Sequence, residues 1–161
     1  MMKKVGMFIA AGCLLLTMGN GAYAQSTEAS VTSSSNPGRM LVLSSGGGIK
    51  QSFLNANRSD FPAGTTLPRK TLTDIEWQTT WYPDAIGLTV ELCYFRPNTS
   101  SPVGCVPVNP NSSGISTAFS GQRFDVGSKV ELVYRAESAT GILPRQITNA
   151  GNDSVTFNFT Y

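Results

Sequence analysis

Residues 87–108 read GLTVELCYFRPNTSSPVGCVPV. Leu88, Val90, Leu92 and Tyr94 alternate with Thr89, Glu91, Cys93 and Phe95, the period of two that marks a half-buried strand. Arg96 to Pro102 is polar and holds two prolines, so it reads as a loop. Gly104 to Val108 reads as a second short strand. The stretch is a hairpin whose arms carry Cys93 and Cys105, and it sets the expectation of a secreted β-domain without a visible catalytic site.

The cysteine arithmetic depends on the N-terminus. Lys3 and Lys4 precede the apolar run Val5 to Met18, and Ala22-Tyr23-Ala24 supplies small residues where a signal peptidase reads. Residues 1–24 are therefore expected to be a signal peptide, cleaved between Ala24 and Gln25. The apolar run is too short for a stable membrane span, so no membrane insertion is expected after cleavage. Removing 24 residues from 161 leaves 137, which suits one domain with one core.

Cys13 leaves with the signal. The remaining two cysteines, Cys93 and Cys105, are read as one disulfide in an exported protein. Eleven residues lie between them, and closing such a loop stabilises a fold by roughly 3 kcal/mol in the chain-entropy model. A metal pair is the runner-up, but it lacks ligands: the chain has no histidine and no further mature cysteine. No cofactor is expected. Lys3 and Lys4 are two of the 12 basic residues, and the other 10 balance the 10 acidic ones. A mature chain of zero net charge without basic clusters argues against nucleic acid as a partner.

Outward from the hairpin, the pattern is strand and turn. Thr71 to Trp81 reads TLTDIEWQTTW, with Ile75, Trp77, Thr79 and Trp81 on one face and Asp74, Glu76, Gln78 and Thr80 on the other. The tryptophans are read as core, and a sugar-binding platform is the sharper but weaker alternative. Met40 to Leu43 and Ile49 to Asn55 read as strands around the turn Ser44 to Gly48. Its GGGIKQS fragment lacks the spacing of a phosphate loop. Ile115 to Phe119 and Lys129 to Ala136 follow as strands. Ile142 to Ile147 reads as an edge strand interrupted by Pro144. Ser154 to Tyr161, SVTFNFTY, closes the chain with Val155, Phe157, Phe159 and Tyr161 on one face.

Seven to nine short strands separated by Gly, Pro and Asn turns imply an all-β antiparallel sandwich over residues 39–161. Residues 25–38, QSTEASVTSSSNPG, are expected to be a disordered Ser/Thr-rich leader, because only Ala29 and Val31 are apolar. The predicted core is Trp77, Trp81, Leu88, Val90, Leu92, Leu132, Tyr134, Phe157 and Phe159.

Catalysis has no visible machinery. Without histidine the usual Ser–His and Cys–His arrangements are excluded. Asp74 and Glu76 share a strand face and could form a carboxylate pair, but a solvated face explains them more simply. Lys129 and Glu131 read as surface charges. The chain is expected to be a binding or accessory protein, not an enzyme.

The span Asp74 to Tyr161 resembles the flagellar FlhE family, small periplasmic proteins encoded with flagellar export genes. Ile75-Glu76-Trp77 matches its I-x-W strand. Gly87-Leu88, Val90, Leu92 and Cys93 match G-L-x-V-x-L-C. Cys105-Val106, Ser113-Gly114, Thr117 and Phe119-Ser120-Gly121 follow in order, as do Leu132, Tyr134, Gly141, Leu143-Pro144, Asn152, Val155, Asn158 and Tyr161. The chain departs from that pattern in its Cys93–Cys105 loop length, its ending at Tyr161 and its Ser/Thr-rich leader. The resemblance implies a periplasmic accessory factor linked to swarming and to limiting proton leakage through the flagellar export apparatus. It would act by contact with a protein partner among export or basal-body components. Only the cystine pair carries over as a residue-level feature, and oligomeric state is not implied.

Two other classes are open at this point. A fimbrial or surface-adhesion subunit would explain the alternating aromatic strand at the end of the chain, with the leader as a donor strand. A carbohydrate-binding module would need Trp77 and Trp81 on the surface.

Overall fold

The computed structural model describes residues 26–161. The signal segment and the Ala24–Gln25 cleavage site lie outside the described residues. In chain order the strands are β1 (Glu28–Ser35), β2 (Met40–Val42), β3 (Gly48–Asn55), β4 (Lys70–Gln78), β5 (Ala85–Ile86), β6 (Thr89–Phe95), β7 (Gly104–Val108), β8 (Ser113–Ser116), β9 (Arg123–Phe124), β10 (Lys129–Ala136), β11 (Ser138–Ala139), β12 (Arg145–Ile147) and β13 (Asp153–Thr160). Eight of these run four residues or longer, so the expected strand count matches the long strands, and short pairings add the rest.

The strands form an antiparallel sandwich. Sheet A has the order β1-β13-β4-β8, with β9 also on β4; sheet B has the order β12-β2-β3-β10-β6-β7; β5 and β11 make a small ribbon. Alternation builds both inner faces. Val155, Phe157 and Phe159 of β13 are buried, and so are Val130, Leu132 and Tyr134 of β10 and Val90, Leu92 and Tyr94 of β6. Phe124 stacks on Phe157 at 5.1 Å and lies 4.9 Å from Phe159, with Phe61 closing the end of the row.

Three fully buried tyrosines stiffen this layer. Each places its hydroxyl on a partner: Tyr82 donates to the Gly38 carbonyl at 2.7 Å, Tyr94 to the Arg123 carbonyl at 2.7 Å, and Tyr134 to the Asp153 carboxylate. Satisfied hydroxyls let large aromatic bodies be buried without stranding a polar group. Burial pushes all three phenols above their ordinary pKa, and the neighbouring Asp153 charge adds to this at Tyr82 and Tyr134.

Several expectations need correction. The leader holds a strand, because β1 pairs with β13 from Glu28↔Thr160 to Ser35↔Asp153. Its composition lacks an apolar stripe, but an edge strand beside β13 takes its conformation from the ladder itself. The sandwich therefore begins at β1, not at residue 39.

Trp81 is 43% exposed, not core. β4 ends at Gln78, and Thr79 and Thr80 are both buried, so the alternation that would carry Trp81 inward is already broken. A bulge at Thr73, where Asn158 pairs with Asp74 but Phe159 pairs with Leu72, shifts the phase earlier in the same strand. Trp77 and Leu88 are partly buried against the core, not within it. Ile115 points outward and is 68% exposed, and β8 runs from Ser113 to Ser116 instead of reaching Phe119.

Candidate functional site

The two outer faces of the sandwich differ in chemistry. On sheet A the outward residues are polar apart from Ile115 on β8. Thr32 and Thr156 face each other with hydroxyl oxygens 2.9 Å apart. The Asn158 amide donates to Asp74 at 2.7 Å and to Glu76 at 3.0 Å. The carboxylates considered as a pair are thus tied to one amide on a solvated strand face. The shared amide ties β13 to β4 across the sheet and fixes their register.

The outer face of sheet B sets apolar side chains among charged ones. Leu41 and Leu43 lie at the β2 end, Ile49 and Phe53 on β3, and all four are exposed. Next to them Cys93, Phe95 and Val133 form a second, small buried cluster on the outside of the sheet. Register explains the grouping: Glu131 of β10 lies between Phe53 and Cys93, and Lys129 between Asn55 and Phe95. A groove of about 520 Å³ runs beside Leu41, Leu43, Ile49 and Arg135.

Lys129 is more than the plain surface charge its strand pattern suggests. Its ammonium instead sits 4.4 Å from the Phe95 ring centre and 5.7 Å from that of Phe53. Such contacts contribute about 0.5–1 kcal/mol at exposed sites. Arg135, at the other end of the face, reaches Glu91 at 3.6 Å.

The disulfide stands at the margin of this face. Cys93 and Cys105 are direct register partners on β6 and β7 and are bonded to each other. The bridge staples the edge strand β7 to the sheet and closes the Arg96–Pro102 loop, as the hairpin reading required. Cys93 is on the outward side of β6 yet buried. An alternation pattern treats that position as solvent-facing, which is why sequence reasoning missed the cluster.

The tryptophans do not form a shared platform. Trp77 packs against the core, and its ring lies over Gly114, where a Cβ would come within 2.7 Å of Cζ2. Gly114 is thus the residue that lets the ring lie flat across β8. Trp81 stands in the open beyond the end of β4. Among the described residues, no three His, Cys, Asp or Glu side chains converge in a way that could hold a metal, and no helix is long and apolar enough to cross a membrane. The face of sheet B can offer apolar contact bordered by Lys129 and Arg135, which is the chemistry of protein recognition.

No family model matches the chain, and no curated protein matches it by sequence. Among solved structures it is similar to a crystal structure of FlhE, with a TM-score of 0.55, 18% sequence identity, and coverage of 82% of this chain and 96% of that one. A structure of an infectious bursal disease virus strain aligns with a TM-score of 0.37 and 11% identity over 35% of its chain, too loosely to bear on the fold. The FlhE match spans nearly that whole protein and the same sandwich described above: this chain has an FlhE-like fold.

Proposed function

We propose that this chain is a non-enzymatic accessory protein of the bacterial flagellar system, working in the periplasm by protein contact. The observation that carries the reading is the FlhE-like fold over 96% of the FlhE chain. The ordered motif residues from Ile75 to Tyr161 support it. The Cys93–Cys105 bridge suits an oxidising compartment. The contact surface in this reading is the outer face of sheet B, with Ile49 and Phe53 as apolar anchors. The partner is an export or basal-body component, and the role is to limit proton leakage and support swarming.

The experiment is a clean gene deletion scored for swarming and for cytoplasmic pH in acidified medium. The expected result is poor swarming with excess acidification, rescued by the exported wild-type protein and not by a folded Ile49→Ser/Phe53→Ser variant. Normal swarming and pH in the deletion would reject the flagellar reading. Full rescue by the double variant would move the contact away from sheet B.

A further inference from the structure

β1 is held differently from the other long strands. β13 buries Val155, Phe157 and Phe159 on its inner side, whereas β1 turns Ala29, Val31, Ser33 and Ser35 inward and buries only Val31. What holds β1 is its ladder: eight register pairs, extended by reciprocal Thr27–Tyr161 backbone bonds of 3.1 Å. It is also an edge strand, so no other strand must move for it to leave.

A single connection, Asn36 to Arg39, joins β1 to the rest of the sandwich. Five Cα steps from Ser35 to Met40 reach roughly 17 Å at full extension, against about 10 Å between packed sheets. The connection is therefore long enough to cross from sheet A to sheet B. Its bend is closed by polar contacts: Asn36 accepts from the Gly38 N–H at 2.9 Å and the Asn149 amide at 3.2 Å, and donates to Asn152 at 3.0 Å. Gly38 sits at φ +71°. Water can replace the three Asn36 bonds when the bend straightens. The bond from the fully buried Tyr82 hydroxyl to the Gly38 carbonyl and the burial of Pro37 are what opening must give up.

We infer that β1 is an exchangeable strand whose second seat is β13 of another copy of this chain, giving a two-fold strand-swapped dimer. The seat is written for this strand. Besides the ladder, Thr32 meets Thr156, and Ser34 donates to the Asp153 carbonyl at 3.0 Å. A generic apolar strand makes neither side-chain contact, whereas a second copy makes both. Because the swapped and closed forms share these contacts, the balance is set by chain concentration and by the bend at 36–39. This inference is independent of the flagellar reading.

The test uses the mature chain with single outward-facing replacements. Thr32→Cys and Thr156→Cys proteins are purified separately, mixed at high concentration and oxidised, and Thr32→Cys is mixed with Gln51→Cys as the control for random encounter. Exchange predicts a covalent 32–156 heterodimer about tenfold above the control, since pairing holds the two thiols at high effective concentration. It also predicts a concentration-dependent dimer of the wild-type chain by light scattering, and the loss of that dimer in the doubly substituted Thr32→Cys/Thr156→Cys chain oxidised within one monomer. Equal yields from both mixtures, or a dimer that persists in the locked chain, would overturn the proposal. So would capture of a Ser33→Val peptide of residues 27–35, cysteine-substituted at 32, by Thr156→Cys with no capture of a second copy; that seat would belong to a foreign strand.

Discussion

Sheet A and sheet B are built from the same alternating strands, yet their outer faces have different uses. Sheet A is dry on one side only: outside it presents Thr32, Thr156 and Asn158 to water. Sheet B is dry inside and partly dry outside, where Cys93, Phe95 and Val133 bury one another and Leu41, Ile49 and Phe53 remain exposed beside them. A solvated outer face needs only hydrogen-bonding groups. An apolar one carries a solubility cost that monomeric proteins seldom bear without a contact to make. In the proposed reading, recognition falls to sheet B, with sheet A as its support.

The strongest way to calibrate this contrast is to cut the layer both sheets share. Phe157→Ala removes a fully buried ring stacked on Phe124 and is expected to cost about 3–5 kcal/mol in urea unfolding. A loss below about 1 kcal/mol would mean that the inner layer is not the principal core.

Alkaline titration probes the same layer. Tyr82, Tyr94 and Tyr134 have raised pKa values in the fold, whereas in the unfolded chain they ionise near 10. Their stabilising contribution is therefore complete below pH 10 and lost as pH rises above it. The slope is about 1.4 kcal/mol per tyrosine per pH unit, or about 4 for all three. Unfolding followed by tyrosinate absorbance should be cooperative above that pH, and a gradual titration without unfolding would contradict the buried assignment.

Opening the Cys93–Cys105 bridge by Cys93→Ala/Cys105→Ala is expected to cost about 3 kcal/mol. Hydrogen exchange should show the loss concentrated at β7, the strand it staples. Mass spectrometry of the mature protein with and without reductant checks the bridge directly.

The outer faces separate next. Phe95→Ala, on the outside of sheet B, should cost about 2 kcal/mol, because it empties the small outer cluster. Thr156→Ala, on the outside of sheet A, should stay within about 0.5 kcal/mol. Equal costs would erase the distinction between the faces. Phe53→Ser gives up one Lys129 ring contact and should cost no more than about 1 kcal/mol, so a loss of rescue on replacing Phe53 is a loss of contact and not of fold.

Strand bounds are read best at β7 and β10, which match the sequence reading, and at β13, which differs by one residue at each end. Their neighbours impose nothing that the period of two does not already contain. Where both sides are dry, as at Cys93 and Phe95, alternation labels a buried residue as exposed. Where the chain leaves the sheet, as after Gln78, alternation runs on and places Trp81 in a core it does not enter. Lys70 shows a third kind of failure. It is buried at the start of β4 because the Pro68 carbonyl and Asp125 meet its ammonium at 2.9 and 3.2 Å, a partner 55 residues away that no local pattern contains.

By itself, then, the sequence determined the all-β class, the hairpin with its cystine, the turns, and which residues of β6, β10 and β13 face inward. These follow from local periodicity and turn chemistry, which need no knowledge of distant partners. Tertiary structure decided the rest: that a Ser/Thr-rich leader becomes an edge strand, that Lys129 lies over two rings, and that one outer face gathers a buried apolar cluster while the other is mostly polar. Each depends on residues brought together from far along the chain, where cross-strand register, not spacing in the sequence, sets what a side chain meets.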